Sequence, residues 1–334
     1  MRHKNFVVAT TVMMLGFAAV VTGLAFYSSH VATASTGNVP SAIHYLPASS
    51  QGVFGMNVQK FTQSPLYKKL QAEHGDKVGQ DLQEFIAKTG VDPLNDVRYI
   101  VAAGRSGAQR HGAGVMIAVG TFRPETIIAF IKSEGTPIEV QYRNATVLMI
   151  PESDGNQLDK GIAFLKTGEI ALGDLESLKQ VLDVQAQPDL GIDSTPLGEL
   201  LRSASIDLDQ MFWFAGDAGT VMAKAPANTP FGTNLSSIRT IFGTLDMSDI
   251  AITGKITAVA TTSENADKLR DIVRGLVALG QMAASSHNPD LAALANQIKL
   301  DVASDNTNVV LNLNIPYDLI EKLEQLKTVS RKGI

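Results

Sequence analysis

The sequence predicts an α+β protein: two related modules of mainly antiparallel sheet covered by helices, preceded by one N-terminal transmembrane or signal helix. Three observations carry that expectation. Strand-like segments occur in adjacent pairs joined by turn residues, as antiparallel hairpins require. Helical periodicity lies between those pairs, but never in the sustained strand–helix–strand alternation of a doubly wound parallel sheet. The order of strand, helix and hairpin also recurs in the two halves, each hairpin ending in Ile-Pro, at Ile150-Pro151 and Ile315-Pro316.

At the amino terminus, Arg2 and Lys4 precede an uncharged run from Phe6 to Phe26. Its length of about 21 residues suits a helix crossing hydrocarbon and exceeds the roughly 7–15 residues of a secretory apolar core. The basic flank predicts that the amino end stays in the cytoplasm and the rest is exported. The expected location is therefore the inner (cytoplasmic) membrane, single-pass, with the folded part outside. A cleavage-like Ala-Thr-Ala ending at Ala34 supplies the alternative, a protein released after processing. The expected division is a signal anchor over 1–27, a Ser/Thr/Gly/Pro-rich tether over 28–42, a first α+β module over 43–187 and a second over 188–330.

In the first module, Gly52–Val58 reads as a strand, and Ser64-Pro65 starts a helix on which Val78, Leu82, Phe85 and Ile86 share one face. Gly90 stops that helix. Val97–Gly104 and Gly114–Phe122 are strand-like, Pro124–Gly135 is a short helix, and Pro137–Pro151 turns as a hairpin near Arg143-Asn144. Gly161–Gly173 is a second hairpin, and Asp174 caps a helix reaching about Val184. The segment Pro188–Pro230 reads as the boundary region, with one strand, Asp209–Asp217, carrying the sole tryptophan. Beyond it come a strand at Ser248–Thr262 and a helix capped by Ser263 with an apolar face that includes Leu269, Ile272 and Val273. A helix starting at Asn288-Pro289-Asp290, a hairpin over Ile298–Pro316 and a last helix from Tyr317 to about Val329 complete the order. Antiparallel hairpins alternating with helices predict sheets covered by helices on one face.

Composition excludes several functions. There is no cysteine, which removes disulfides, thiolate nucleophiles and zinc–thiolate sites. A formal net charge of -5 opposes nucleic-acid binding. The six histidines have no i,i+4 pair, and no metal-ligand, Walker, EF-hand or nucleophile-elbow pattern occurs. The triplets Ser304-Asp305-Asn306, Lys88-Thr89-Gly90 and Lys166-Thr167-Gly168 lack a serine with lysine three residues later, and they stand in the wrong order for a penicillin-recognising enzyme. Glu152, Asp154 and Asp159 form an acidic loop of the ordinary surface kind.

The run GRSGAQRHGAG, Gly104–Gly114, looks at first like a phosphate-binding loop. Such a loop needs a helix after it, so that backbone N–H groups and the helix dipole face the anion. Here a strand-like segment follows, and the glycines read as turn formers at a hairpin tip. Arg105, Arg110 and His111 then become solvated tip residues that can contact an anionic partner. Trp213, between Phe212 and Phe214, faces away from its neighbours along a strand. It is either an outward binding anchor or, with its large apolar surface, a core residue.

Two stretches carry a resemblance. YLPASSQGVFGMNV, Tyr45–Val58, and GEIALGDLESLKQVLD, Gly168–Asp183, resemble a family of exported bacterial proteins with a domain of unknown function, which open with Leu-Pro-Ala after an amino-terminal membrane segment. The resemblance implies export and a first strand; it implies no catalytic residue, metal or cofactor. The expected role is a membrane-anchored, non-enzymatic binding or assembly protein of the cell envelope. The alternatives are a small-ligand or lipid carrier with a cavity between sheet and helices, and an envelope hydrolase with a dispersed active site.

Overall fold

The computed structural model describes residues 41–105, 113–151, 160–166, 168–203, 205–218, 237–287 and 299–317. They form an α+β structure with antiparallel strand pairing, divided into a unit that ends at Asp209 and one that starts at Gln210. The anchor over 1–27, Arg110 and His111, the acidic loop, the helix at Asn288 and the last helix lie outside the described residues.

In the first unit a 3-10 turn, Ser41–Tyr45, leads to β1 (Gly52–Asn57), α1 (Val58–Gln63) and α2 (Pro65–Thr89). Then come β2 (Val97–Gly104), β3 (Gly114–Gly120), α3 (Pro124–Glu134), β4 (Ile138–Tyr142) and β5 (Ala145–Ile150). The unit finishes with β6 (Lys160–Phe164), β7 (Glu169–Asp174), α4 (Leu175–Ala186), two short 3-10 turns and α5 (Pro196–Arg202). Its strands lie in the order β1-β2-β3-β7-β6-β5-β4.

Local chemistry accounts for most boundaries. The Ser64 hydroxyl accepts from the Tyr67 N–H at 3.2 Å, Pro65 opens α2, and Gly90 ends it at φ 65°. The strand expected to reach Val58 stops one residue earlier. The Asn57 side chain accepts from the Lys60 N–H at 3.0 Å, and this cap turns the chain into α1. Gly104 and Gly114 are paired in register, so the glycine-rich run does join two antiparallel strands.

Helices occupy both faces of this sheet, where one face was expected. Ile127 and Ile131 of α3 pack with Leu148, Ile162 and Ile170, which share one side by strand alternation. The opposite side presents Gly161, Val147, Ala163 and Ala171 to α4. Those small residues admit the helix closely: a Cβ at Gly161 would strike Leu178 of α4 as well as Met149. The sequence between β5 and α4 is apolar on both of its alternating sets, as a sheet sandwiched by helices demands.

The second unit contains β8 (Phe212–Asp217), β9 (Ile238–Met247), β10 (Ala251–Ala260), α6 (Ser263–His287), β11 (Lys299–Asp305) and β12 (Asn308–Pro316). Their order is β11-β12-β10-β9-β8. Ala266 and Leu269 of α6 enter a core with Ile238, Ala260, Val302 and Val309. The cap of α6 is Thr262, one residue before the expected Ser263: its hydroxyl accepts from the Asn265 N–H at 3.2 Å. Among the described residues no helix is long and apolar enough to cross a membrane.

Candidate functional site

A cleft of about 710 Å³ opens in the first unit at the ends of β5 and β6. Helix periodicity places Ile128 and Lys132 of α3 one turn apart on its wall. Strand alternation brings Thr146 and Leu148 of β5 to the same side, and Phe164 and Leu165 close the end of β6. Leu182, Gln185 and Ala186 come from the last turns of α4. The turn between β4 and β5 supplies Arg143, held at φ 51°, and Asn144.

The floor is apolar, made by Ile128, Leu148, Phe164, Leu165 and Leu182, and the rim is polar. Two ion pairs mark the rim. Lys132 meets Glu139 at 2.7 Å, and the Arg143 Nε donates to Asp183 Oδ1. The Tyr142 hydroxyl also donates to Asp183, at 3.0 Å, while the Tyr142 ring lies 5.3 Å from the Lys179 ammonium and 6.0 Å from the Arg143 guanidinium. A hydrogen bond to Asp183 comes first among the causes that hold the Tyr142 hydroxyl above its usual range, followed by burial. The same carboxylate raises Arg143. The described lining has one carboxylate, Glu139, which is paired with Lys132, and no histidine and no serine.

The residues singled out in the sequence lie elsewhere. Arg105, expected to be a solvated tip residue, is instead built into the fold. Its guanidinium donates to Asp174 Oδ1 at 3.0 Å, and Asp174 is 3% exposed. That carboxylate also accepts from the Ser177 N–H and hydroxyl at 3.1 and 2.7 Å, and from the Gly114 N–H at 2.8 Å. Asp174 therefore caps α4, fastens the β2–β3 hairpin to it, and needs the arginine as its counter-charge once buried. Burial would push the Asp174 carboxyl up. The Ser177 hydroxyl, the two N–H groups and Arg105 together outweigh it and hold the group below its ordinary range.

Trp213 is fully buried, at 0% exposure, so the indole is part of the core and offers no outward face. Arg110 and His111 are outside the described residues. No group of three or more metal-binding side chains occurs among the described residues. No sequence motif marks the cleft, because its wall is assembled from five separate elements and the β4–β5 turn, and each contributes ordinary amphipathic positions. Only the φ-demanding turn at Arg143-Asn144 was visible, and as a turn alone.

What the two units define is a class of architecture: α+β, with helices packed on antiparallel strands and a lined cleft in the first unit. Solved structures share the fold. The crystal form III structure of TP0453 matches with a TM-score of 0.51 at 6% sequence identity, covering 86% of this chain and 97% of that one. The crystal form IV structure of TP0453 matches with a TM-score of 0.50 at 6% identity, covering 84% and 95%. At this identity the likeness is one of fold. No protein-family model matches the chain, and no curated protein is similar to it.

Proposed function

We propose that the protein is a membrane-anchored component of the cell envelope that acts by binding, with its folded part exported and held to the inner membrane by the amino-terminal segment. The cleft carries this reading. It combines apolar side chains with a rim that carries two ion pairs, Lys132–Glu139 and Arg143–Asp183, the composition of a site that retains a molecule. A hydrolase with a dispersed site would need an acid, a base and a nucleophile converging on one cavity, whereas the lining carboxylate here, Glu139, is engaged with Lys132.

Two further statements belong to the same reading. The units are related modules: β1-β2-β3 and β8-β9-β10 are antiparallel meanders, each followed by a helix, and each return hairpin ends on the third strand, as β7 on β3 and β12 on β10. The first unit carries one additional hairpin. The second statement concerns what is bound. The volume and apolar floor favour a small ligand or lipid carrier over a protein-assembly role, since a cleft of about 300–1,000 Å³ suits a small molecule.

The test is photo-crosslinking in living cells from the exposed rim positions Thr146 and Ala186. A reproducible adduct from either position supports binding at the cleft. A small mass increment supports the carrier role, and a protein adduct supports assembly. Absence of any adduct from both sites, with a protein confirmed as folded and exported, rejects the proposal.

A further inference from the structure

Resting on the reading of the cleft as a binding site, we infer that its ligand is a single-chain anionic amphiphile of the fatty-acid type, with its alkyl chain on the apolar floor and its carboxylate at Arg143. The floor sets the first half of this inference. Ile128, Leu148, Phe164, Leu165 and Leu182 give the lining apolar surface that an alkyl chain would remove from water, beside the polar surface of Arg143, Thr146 and Gln185.

The rim sets the second half. Lys132 and Glu139 cancel each other across 2.7 Å. Around the Tyr142 ring the balance differs: Arg143 and Lys179 both lie against it, and Asp183 is the one carboxylate that the ring hydroxyl and the guanidinium share. Among the described residues around that ring there are two cations and one carboxylate, and an anionic head at that side of the mouth would restore neutrality. Asp183 takes the Nε of Arg143, while the cleft-lining guanidinium keeps its two terminal nitrogens as the planar donor pair that fits a carboxylate. Arg143 is also placed by its backbone, since the left-handed φ of 51° belongs to the two-residue turn that closes β4 on β5. A neutral alcohol of the same chain length would bury the same surface and forgo the guanidinium.

The experiment measures binding of palmitate, hexadecanol and lysophosphatidylcholine to the purified folded protein by calorimetry below their aggregation limits. Palmitate is expected to bind one to one, and at least about ten-fold tighter than hexadecanol or the zwitterionic lipid, the value of one charge-assisted contact. Arg143→Gln should weaken palmitate about ten-fold and leave hexadecanol unchanged. Thr146→Trp, which fills the mouth from an exposed position, should abolish binding of both at an unaltered melting temperature. Equal affinity for palmitate and hexadecanol overturns the anionic head while leaving the cleft a binding site. Wild-type binding by Thr146→Trp, or no binding of any amphiphile beside a protein adduct at the rim, overturns the inference altogether.

Discussion

The Asp174 carboxylate takes hydrogen bonds from Arg105, Gly114 and Ser177, and so joins a hairpin tip to a helix start. Because its folded carboxyl lies below the ordinary 3.8, its contribution to stability is complete above that value and disappears as pH falls through the lower folded value. Asp174→Asn strands the arginine and faces amide hydrogens toward N–H donors. It should cost about 3 kcal/mol in urea unfolding between pH 5 and 8, and the gap to wild type should begin to narrow only as pH falls below 3.8, where the folded carboxyl is still to protonate. A gap that persists unchanged at pH 3 would show that the charge is irrelevant. At the other extreme, burial foremost pushes Tyr45 and Tyr317 up to about 12; Glu169 adds to it for Tyr45, and Asp246 and Asp249 for Tyr317. The folded state then holds those protons more tightly than the unfolded chain, so stability should fall as pH rises from about 10 toward 12, readable as a declining urea midpoint. The cap at Asp174 was legible from the sequence because capping is local. Its partner Arg105 was not, because a pairing across 69 positions leaves no trace in spacing.

Helix α4 docks on the side of the sheet where Gly161 and two alanines leave room, and this element shows how tightly the packing is specified. Gly161→Ala would push a methyl group against Met149, Leu148 and Leu178 at once, and two of those three contacts are with side chains already enclosed. Overpacking of this kind costs about 1–3 kcal/mol, and the expected result is a denaturant midpoint lowered by that amount with the α4 amides exchanging faster. An unchanged midpoint would mean that the helix can shift outward without penalty. The hairpins and long helices were legible because their signals are periodic or depend on turn residues. The shorter elements were not. α1 and α5 span fewer than two full turns, too short to develop an amphipathic face. β9 was missed for a different reason: Gly243 interrupts its run and buried Thr244 breaks its alternation, since Lys255 O lies 2.6 Å from where a Cβ of Gly243 would stand. Its identity is fixed by neighbours β8 and β10 on either side, which a local pattern cannot see.

Across the whole molecule, the order of strands recurs from one unit to the other, while the point where the folded body begins depends on tertiary contacts. Ser41 and Ala42 fall within the segment expected to be tether, yet Ala42, Ile43 and Leu46 are 0–1% exposed. The Ser41 hydroxyl donates to Glu169 at 2.8 Å, and the Leu46 carbonyl accepts from the Ile192 N–H at 2.7 Å. A Pro47–Gly191 bridge extends the same seam. The leading segment is thus a clamp between β7 and the 3-10 turns after α4, and a pull on the amino end would reach the core through it. A chain starting at Ser41 should therefore melt like the longer protein. A chain starting at Pro47 loses the burial of Ile43, Tyr45 and Leu46, each worth about 1.5–3 kcal/mol, and should melt on the order of 10 °C lower. Calorimetry of the two truncated chains decides it. If both melt together, residues 41–46 are passive cover, and force on the amino end would leave the first unit's core undisturbed; if they separate, the fold itself begins at the seam and the tether ends two residues before it was expected to.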